Sequence, residues 1–536
     1  MLLTGASGFI GAAIAAALAR AGCRVLCGVR DPAKAARDLG ACEFRAVDFG
    51  ALTDAQAWLP LLDSVDVVVN AVGIFAERGT QTFELLHRRA PIALFAACAQ
   101  ANVRAVIQIS ALGADEQATT PYHLSKKAAD DFLAGLGLPA AILQPSLVYG
   151  PGGTSARMFG TLATMPLLLL PEGGRQRVQP VHLDDVVAAI VRLVMMAGDT
   201  DGGGPGGGPG GGPGGGPGGG PGGGPGGGPG GGSGGGPGGG PGGGPGGGPG
   251  GGPGGGSGGG LGGGLGGGRG GGPGCDSGGD YSGGRGVGRG GDPGSDPAMR
   301  SDWPQGRIPV VGPTALSLRD YLAELRHALG QPGALRVLPV PDALVRAGLP
   351  LMTRLAPGLP LNEDALAMLA RGNTGDPAPM HRLLGRPPRA VAEFVPARWR
   401  EAARTQAVLG WQLPILRTAV ALVWIVTGIV SLGLYPVEDS YALLARAGVP
   451  QALRPLALYG AAGLDLLFGL MCFAPARWRF PWIWAAQAAL ILGYTVIISV
   501  RLPEFWLHPY GPLTKNLPML AVLWLLGTLE RKRWTT

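Results

Sequence analysis

The tyrosine and the lysine of YHLSK, residues 122 to 126, have the side chains and the spacing that proton transfer needs. A tyrosine hydroxyl, with an ordinary pKa of about 10, exchanges a proton poorly at neutral pH unless a nearby cation stabilises the phenolate. A spacing of four places Lys126 one helical turn from Tyr122 on the same face, where its ammonium would lower the pKa of the phenol. We therefore expect the two residues to act as an acid–base pair.

A glycine-rich turn near the start of the chain has the pattern of a nucleotide cradle. Residues 2–4 are typical of the end of a strand, and GASGFIG, residues 5–11, leads into a helix expected over 10–21. The first glycine would permit a tight turn, the second would let the backbone approach a pyrophosphate, and the third would allow close helix packing. Free N–H groups at the helix start would bind the phosphates. The residues expected to hold a cofactor here are Gly5, Ser7, Gly8, Phe9, Ile10 and Gly11.

Three further strands are expected after this turn, over residues 24–29, 44–47 and 65–69. The last of them runs into NAVG, residues 70–73. Strands that alternate with helical segments at these intervals predict an α/β fold with a parallel, doubly wound sheet of the Rossmann type.

Together these motifs resemble the short-chain dehydrogenase/reductase superfamily, in its extended or atypical, epimerase-like branch. The likeness covers roughly residues 1–197 and resumes at RIPVVGPTALSLRDYL, residues 307–322. Within that branch the chain is most similar to NAD-dependent epimerase/dehydratase proteins and to quinone-pathway and complex I accessory proteins, some of which bind cofactor without turnover. The matching stretches are NAVG (70–73), VIQISALGAD (106–115), YHLSK (122–126), LQPSLVYGPGG (143–153) and VHLDD (181–185).

The resemblance implies a site. Ser110 would join Tyr122 and Lys126 as a catalytic residue and orient the substrate oxygen, and Lys126 would also hold the nicotinamide ribose. Asp48 would lie near the adenine. Gln144 stands where the family usually has an arginine, which leaves an acidic group of a substrate less well bound. The resemblance also places Asn70, Ala71 and Gly73 beside the cofactor.

The end of the second strand bears on the choice of cofactor. A carboxylate there binds the ribose 2′-hydroxyl of NAD, whereas an arginine favours the 2′-phosphate of NADP. GVRDP offers Arg30 first and Asp31 directly after it. The sequence therefore favours NADP, with NAD as the alternative.

A glycine-rich tract interrupts the reductase-like region. Most of the 102 glycines lie between Gly202 and Gly294, in groups of three separated by one other residue. This period of four excludes a collagen helix, which needs glycine at every third place, and the tract has almost no apolar side chains for a core. The expected organisation is an NAD(P)-binding Rossmann domain over 1–197, a disordered Gly/Pro-rich insert over 198–306, the remainder of the reductase/epimerase-like domain over 307–405 and a transmembrane domain over 410–536.

Four apolar segments predict that this last region is an all-α, four-helix membrane domain. The spans are expected over residues 418–437, 455–476, 480–500 and 516–529. All except the shorter fourth are long enough to cross a hydrocarbon layer of ~30 Å. The region resembles DoxX-like membrane modules, most specifically in residues 502–526. Asp465 is costly to bury within a span and is therefore a functional candidate, with helix packing as the alternative reading.

Arginines and lysines indicate the orientation of these spans. They cluster on the flanks that an even number of spans would bring to one side, which we expect to be the cytoplasm. The amino-terminal segment differs from a signal peptide because it has no early basic residue and its apolar helix contains Arg20. We expect a multi-pass protein of the cell inner membrane with the Rossmann domain on the cytoplasmic side.

Composition argues against other classes of site. The six cysteines form no CxxC pair and have no histidine at ligand spacing, so no metal site or disulfide framework is expected. A net charge of +7 is modest for 536 residues, and the arginines do not interleave with aromatic residues, so no nucleic-acid partner is expected.

Two classes of function remain. The first is a membrane-tethered NAD(P)-dependent oxidoreductase or epimerase acting on a small or lipophilic carbonyl or hydroxyl substrate. The second is a non-catalytic nucleotide-binding subunit that stabilises a membrane redox or quinone-pathway assembly. The presence of Ser110, Tyr122 and Lys126 favours the first.

Overall fold

The structure is a computed structural model that describes residues 1–39, 42–198, 303–355, 363–474, 482–509 and 511–531. The insert expected over residues 198–306 lies almost wholly outside the described residues. The described chain forms an α/β part followed by a helical part.

Thirteen strands are described. In chain order they are β1 (Leu2–Thr4), β2 (Leu26–Val29), β3 (Glu43–Ala46), β4 (Val67–Asn70), β5 (Ala105–Ile109), β6 (Ala140–Pro145), β7 (Val148–Tyr149), β8 (Leu168–Pro171), β9 (Arg177–Val178), β10 (Val181–His182), β11 (Gly306–Val310), β12 (Leu316–Ser317) and β13 (Val337–Val340). Seven of them form one parallel sheet in the order β11-β6-β5-β4-β1-β2-β3. The order reverses between β1 and β4, which confirms the predicted doubly wound sheet.

Eleven α-helices are described in the α/β part. They are α1 (Phe9–Arg20), α2 (Pro32–Leu39), α3 (Ala55–Leu62), α4 (Ala90–Gln100), α5 (Pro121–Ala134), α6 (Thr154–Thr164), α7 (Leu183–Gly198), α8 (Leu318–Ala328), α9 (Asp342–Leu355), α10 (Glu363–Arg371) and α11 (Ala378–Leu384). Side chains alternate along the central strands, so Leu3 packs into the core beneath α1 and α7 while Leu2 packs into the core beneath α3 and α4. Both faces of the sheet are therefore buried, as a parallel sheet requires.

The element limits differ slightly from those expected. Helix α1 begins and ends one residue earlier than residues 10–21, and β2 starts at Leu26 where residue 24 was expected. Strand β3 is shifted by one residue and β4 by one to two, so that Asn70 is the last residue of β4. The apolar pattern locates each element, but hydrogen bonds set where it ends.

The chain on either side of the glycine-rich tract builds the same sheet. Strand β11 follows the tract and pairs in parallel with β6, with Ile308 opposite Leu143. Trp303, at the start of the resumed chain, is buried in the core that also contains α1 and α7.

A third core joins the α/β part to the helical part. Phe159 of α6, Tyr321 of α8 and Phe394 pack there together with Ala407. Ala407 belongs to α12 (Arg400–Ile429), a helix of 30 residues. At Gly410 of the same helix, an added Cβ would lie 2.3 Å from Oγ1 of Thr161 on α6. The first turns of α12 are thus packed directly on α6.

Four further helices follow α12. They are α13 (Val437–Arg446), α14 (Arg454–Cys472), α15 (Trp482–Arg501) and α16 (Asn516–Arg531). In the part of the chain that the structure describes, three helical stretches are long and apolar enough to cross a membrane: Ala397–Leu434, Gln451–Cys472 and Trp482–Arg501. The predicted count of four spans is therefore not exact, because α16 has only 16 residues. Helix α13 was not expected from the sequence.

The outer surface of these helices is apolar, as contact with lipid requires. Side chains such as Leu470, Val496 and Trp524 are 60–76% exposed. Arg417, near the start of the first span, pairs with Glu530 at the end of α16 over 3.5 Å. Arg446 after the first span pairs with Glu504 after α15. Each ion pair joins ends that an antiparallel bundle brings to the same side.

Since β11 rejoins β6, we expect the sheet to form without the glycine-rich tract. Joining Asp201 to Arg300 through a few residues should leave NADPH affinity unchanged within about twofold, because the entropy of closing a flexible loop changes by only ~0.6 kcal/mol per doubling of its length. Fluorescence titration of both proteins in detergent measures this. A large loss of affinity together with an unchanged melting temperature would show that the tract contributes to binding.

Candidate active site

The glycine-rich turn after β1 is built from contacts that a side chain would prevent. Gly5 has a φ of +76°, and a Cβ on it would lie 2.6 Å from the carbonyl carbon of Ala71. A Cβ on Gly11 would lie 2.1 Å from the Gly5 carbonyl oxygen. Gly8 is exposed at the N-terminus of α1, where no side chain caps the first turn. The free N–H groups at the start of α1, next to the exposed Gly8, are suited to binding a phosphate.

The turn after β4 lies directly against the turn after β1. Ala71 N donates a 3.0 Å hydrogen bond to the Thr4 carbonyl. On its other side this turn meets Lys126, since a Cβ on Gly73 would lie 3.1 Å from Nζ of Lys126. The residues expected to hold a cofactor and the predicted acid–base pair therefore meet across one turn.

Lys126 is buried on α5 with its ammonium held by backbone carbonyls. Nζ donates to Ile109 O at 3.1 Å and to Val72 O at 3.3 Å. Burial lowers the pKa of this lysine to about 8, an effect that the charge of Asp130 partly opposes.

Tyr122 lies one turn before Lys126 within a group of aromatic rings. Its ring centroid is 5.3–5.8 Å from those of Phe75, Phe83, His87 and His123. Among the described residues its hydroxyl has no hydrogen-bond partner. Burial, and then the charge of Asp130, raise the pKa of Tyr122 to about 12. The shift is opposite to the one expected from the sequence, because burial and the charge of Asp130 both disfavour the phenolate.

His87 fixes the loop that follows the β4 turn. Its Nε2 accepts a 2.9 Å hydrogen bond from Ile74 N, so Nδ1 carries the proton and lies 3.1 Å from the Ser125 hydroxyl. Burial and the charge of Lys126 lower the pKa of His87 to about 2, so the ring is neutral. This histidine positions backbone beside Tyr122.

Ser110 follows β5 and is held by a carboxylate that sequence reasoning missed. Its hydroxyl donates to Oδ2 of Asp130, which is fully buried on α5. Burial raises the pKa of Asp130 to about 6, opposed by the Ser110 hydrogen bond and the charge of Lys126. No hydrogen bond joins Ser110 to Tyr122 among the described residues. Asp130 follows Lys126 by four residues on the same helix face, and this spacing is the signal that could have revealed it.

A row of buried polar side chains runs from β1 toward Asp130. Thr4 Oγ1 donates to Asn70 Oδ1 at 2.7 Å, and Asn70 Nδ2 donates to Gln108 Oε1 at 2.8 Å. Gln108 Nε2 and Asp130 Oδ1 are buried without hydrogen-bond partners within the described residues. The Asn70 side chain thus links the strands on either side of β4, and its expected contact with a cofactor stays a prediction.

The residues after β2 and β3 lie at the surface. Asp31 Oδ1 accepts a 3.0 Å hydrogen bond from Lys34 N and so caps α2. Arg30 is exposed, and among the described residues its guanidinium has no hydrogen-bond or ion-pair partner. Asp48 is exposed and accepts a 3.2 Å hydrogen bond from Gly50 N.

The loop of residues 150–153 packs over the glycine-rich turn. A Cβ on Gly153 would lie 2.8 Å from the Phe9 ring, and helix α6 begins directly after this glycine. Gln144 is buried and donates to Ala114 O at 3.0 Å. Its amide is therefore engaged with the loop after Ser110 and does not face an open site.

The VHLDD stretch anchors the segment that leads to the membrane helices. Asp185 is fully buried, pairs with Arg386 at 2.5 Å and accepts a 2.7 Å hydrogen bond from Arg389 N. Burial lowers the pKa of His182. In the part of the chain that the structure describes, no group of three His, Cys, Asp or Glu side chains could hold a metal ion.

The fold and these turns define the first part of the chain as an α/β protein of the doubly wound, Rossmann-like class. Residues 1–203 match the model of the NAD dependent epimerase/dehydratase family, and residues 421–524 match the model of the DoxX-like family. The chain therefore carries an epimerase/dehydratase-family domain at its amino-terminal end and a DoxX-like domain at its carboxyl end.

Curated relatives match the first of these domains. A ceramide reductase of Caulobacter vibrioides is 30% identical over 191 residues, which cover 35% of this chain and 59% of that protein. The 40 kDa subunit of NADH-ubiquinone oxidoreductase from Neurospora crassa is 26% identical over 195 residues, 35% of this chain and 50% of the subunit. The chain thus spans between half and three fifths of the length of these relatives.

Solved structures with a related arrangement include the UDP-glucuronic acid 4-epimerase of Bacillus cereus in complex with UDP-glucuronic acid and NAD. It is 14% identical, with a TM-score of 0.41 over 76% of this chain and 98% of the epimerase. The assignment of the two domains rests on the family models and the curated relatives.

The contact between Gly11 and Gly5 generates a stability prediction. Gly11→Ala should lower the melting temperature by several degrees and weaken NADPH binding, because overpacking of this kind costs about 1–3 kcal/mol. Gly348→Ala is the matched control, since Gly348 is also helical and an added Cβ there would meet nothing within 4 Å. Equal melting temperatures for the two variants, measured by differential scanning fluorimetry in detergent, would contradict the close packing of α1 on the turn.

Proposed function

We propose that the protein is a membrane-tethered, NAD(P)H-dependent reductase of a lipophilic carbonyl compound. The main support for this proposal is the position of the turn after β4. This turn contacts the glycine-rich turn on one side and Lys126 on the other. Tyr122 lies one helical turn from that lysine.

The residues of the glycine-rich turn fit a dinucleotide. The exposed Gly8 and the uncapped start of α1 would accept its pyrophosphate, and Lys126 would bind the nicotinamide ribose. When bound, the nicotinamide supplies a hydride to the substrate carbon. The free guanidinium of Arg30, beside an Asp31 already engaged in capping α2, supports NADP over NAD.

Tyr122 suits the donation of a proton to the substrate oxygen. A pKa of about 12 keeps the phenol protonated at neutral pH, and transfer of its proton to an alkoxide, which is a stronger base than the phenolate, remains favourable. The same pKa leaves little phenolate at neutral pH to act as the base in the reverse reaction. This supports reduction over oxidation.

The surroundings of Tyr122 support a lipophilic substrate. Phe75, whose ring centroid lies 5.4 Å from that of Tyr122, is 46% exposed. Helix α6, which follows the loop of residues 150–153, packs on the first turns of membrane helix α12. The relative named ceramide reductase supports a lipid-like substrate in this chain.

The alternative is a non-catalytic nucleotide-binding subunit of a membrane redox assembly. The Ser110 hydroxyl favours it, because its proton is committed to Asp130 and is not available to a substrate oxygen. Two relatives are subunits of NADH dehydrogenases.

We infer that the α/β part lies on the cytoplasmic side of the cell inner membrane. The Arg417–Glu530 pair supports a common side for the start of the first span and the end of α16. Arginines before α12 and after α16 favour the cytoplasm for that side.

The exposed arginine after β2 predicts cofactor preference. Arg30→Ala should weaken NADPH binding by roughly 1.5–3 kcal/mol and leave NADH binding nearly unchanged, because it removes a charge-assisted contact to a phosphate that NADH lacks. Arg37→Ala, on the same helix–loop unit, is the control. Fluorescence titration with both nucleotides measures the effect, and equal losses for NADPH and NADH would argue against NADP.

The roles proposed for Tyr122 and Lys126 predict that substitutions at the two residues affect cofactor binding and turnover differently. Tyr122→Phe should lower kcat at least ~100-fold and leave NADPH affinity intact, because a positioned acid contributes roughly 10² to 10⁴ in rate. Lys126→Ala should impair both, whereas Lys127→Ala, which alters only surface ion pairs, should impair neither.

The assay is oxidation of NADPH in the presence of long-chain ketones, in detergent micelles. Full activity of Tyr122→Phe would overturn the proposed acid. Tight NADPH binding without turnover of any ketone in the wild type would favour the subunit alternative.

A further inference from the structure

The membrane domain contains one acidic residue in the middle of a span. Asp465 lies on α14, where Arg454 at the first position is the only other charged residue. The Asp465 side chain is only 5% exposed. A carboxyl group in this position loses its hydration, which costs several kcal/mol unless a partner replaces the water.

Other polar side chains within the bundle have partners. Trp424 Nε1 donates to Gln487 Oε1 at 2.8 Å, and Gln487 Nε2 donates to Cys472 Sγ at 3.6 Å. Trp484 Nε1 donates to Glu530, which also pairs with Arg417. The exceptions among the described residues of these helices are one oxygen of Asp465, Nε1 of Trp411 and Nε of Arg417, whose guanidinium is otherwise paired.

Packing on α12 closes one side of the Asp465 carboxyl. On α15, Tyr494 interacts with it electrostatically. A Cβ on Gly469, one turn after Asp465, would lie 2.5 Å from the Ile425 side chain of α12. Trp424 of α12 packs on Phe468 at 5.6 Å. Tyr494 is 36% exposed.

The chemistry of these groups restricts the ligand. Arg417 and Glu530 neutralise each other, and Cys472 is engaged with Gln487, so none of these groups compensates the unpaired Asp465 oxygen. A cation would need several oxygen ligands, and a single carboxyl group does not supply them. An uncompensated carboxyl in hydrocarbon takes up a proton. A carboxylic acid is best satisfied by a hydroxyl, which donates to one oxygen and accepts from the other.

We propose that Asp465 forms a site inside the membrane domain that binds the hydroxyl group of a lipophilic alcohol. Its apolar walls would hold the hydrocarbon part. This site is distinct from the one around Tyr122, and the proposal does not depend on the reductase activity.

The test is labelling of the full chain in nanodiscs with dicyclohexylcarbodiimide, an apolar reagent that adds to protonated carboxyls in hydrocarbon to give an N-acylurea. Peptide mass spectrometry should find the adduct on Asp465 and not on Glu530, the matched control whose charge is held by Arg417. Hexadecan-1-ol in the bilayer should slow the labelling about fivefold or more, because its hydroxyl would occupy the carboxyl group and one hydrogen bond in a site without water can strengthen binding by that factor. Its methyl ether, which has the same chain without the donor, should not.

Three outcomes would overturn the proposal. Absence of the adduct would mean that the carboxyl is charged or closed to the bilayer. Equal slowing by the alcohol and the ether would mean that the chain and not the hydroxyl binds. Slowing by sodium ions as strong as by the alcohol would indicate a cation site. Because labelling uses the wild-type protein, none of these outcomes depends on how Asp465→Asn folds.

Discussion

The direct contact between two backbone turns determines the geometry of the whole candidate site. Gly5 and Gly11 leave no side chains between β1, α1 and the turn that starts at Ala71, so these segments meet atom to atom. Few other arrangements of these segments are possible at such close packing, because even one added carbon atom would have to displace the backbone. The position of the β4 turn then fixes Gly73, and with it Lys126 and Tyr122 on α5.

Buried polar groups make this arrangement specific but costly. The row from Thr4 through Asn70 to Gln108 crosses the reversal point of the sheet, and Asp130 continues it on α5. Buried carboxylates and lysines are stable only when neighbouring dipoles and charges replace water. Asp130 provides this for Lys126 and in turn holds Ser110. Perturbed groups of this kind cluster at functional sites more often than elsewhere, which is why we assign the chemistry to this end of the sheet.

The sequence predicted the sheet, the glycine-rich turn and the membrane helices because each depends on local pattern. It did not predict Asp130, because the contact with Ser110 joins a loop and a helix that only the tertiary fold brings together. The direction of the Tyr122 pKa shift was wrong for the same reason, since residue spacing gives the nearby cation but not the burial. The first membrane span was expected to begin at residue 418, yet α12 begins at Arg400, because the helix passes from the third core into the apolar segment without a break. The roles assigned to the individual site residues stay predictions.

The packing of α6 on α12 joins the nucleotide-binding fold to the membrane module, and we propose that the β4 turn connects the bound nucleotide to Tyr122. A structure of the full chain in nanodiscs with saturating NADPH tests this connection. We expect the dinucleotide over residues 5–11, with its ribose in hydrogen-bond reach of Lys126 and its nicotinamide beside Tyr122. Nucleotide bound elsewhere, or a nicotinamide directed away from Tyr122, would contradict the proposed connection.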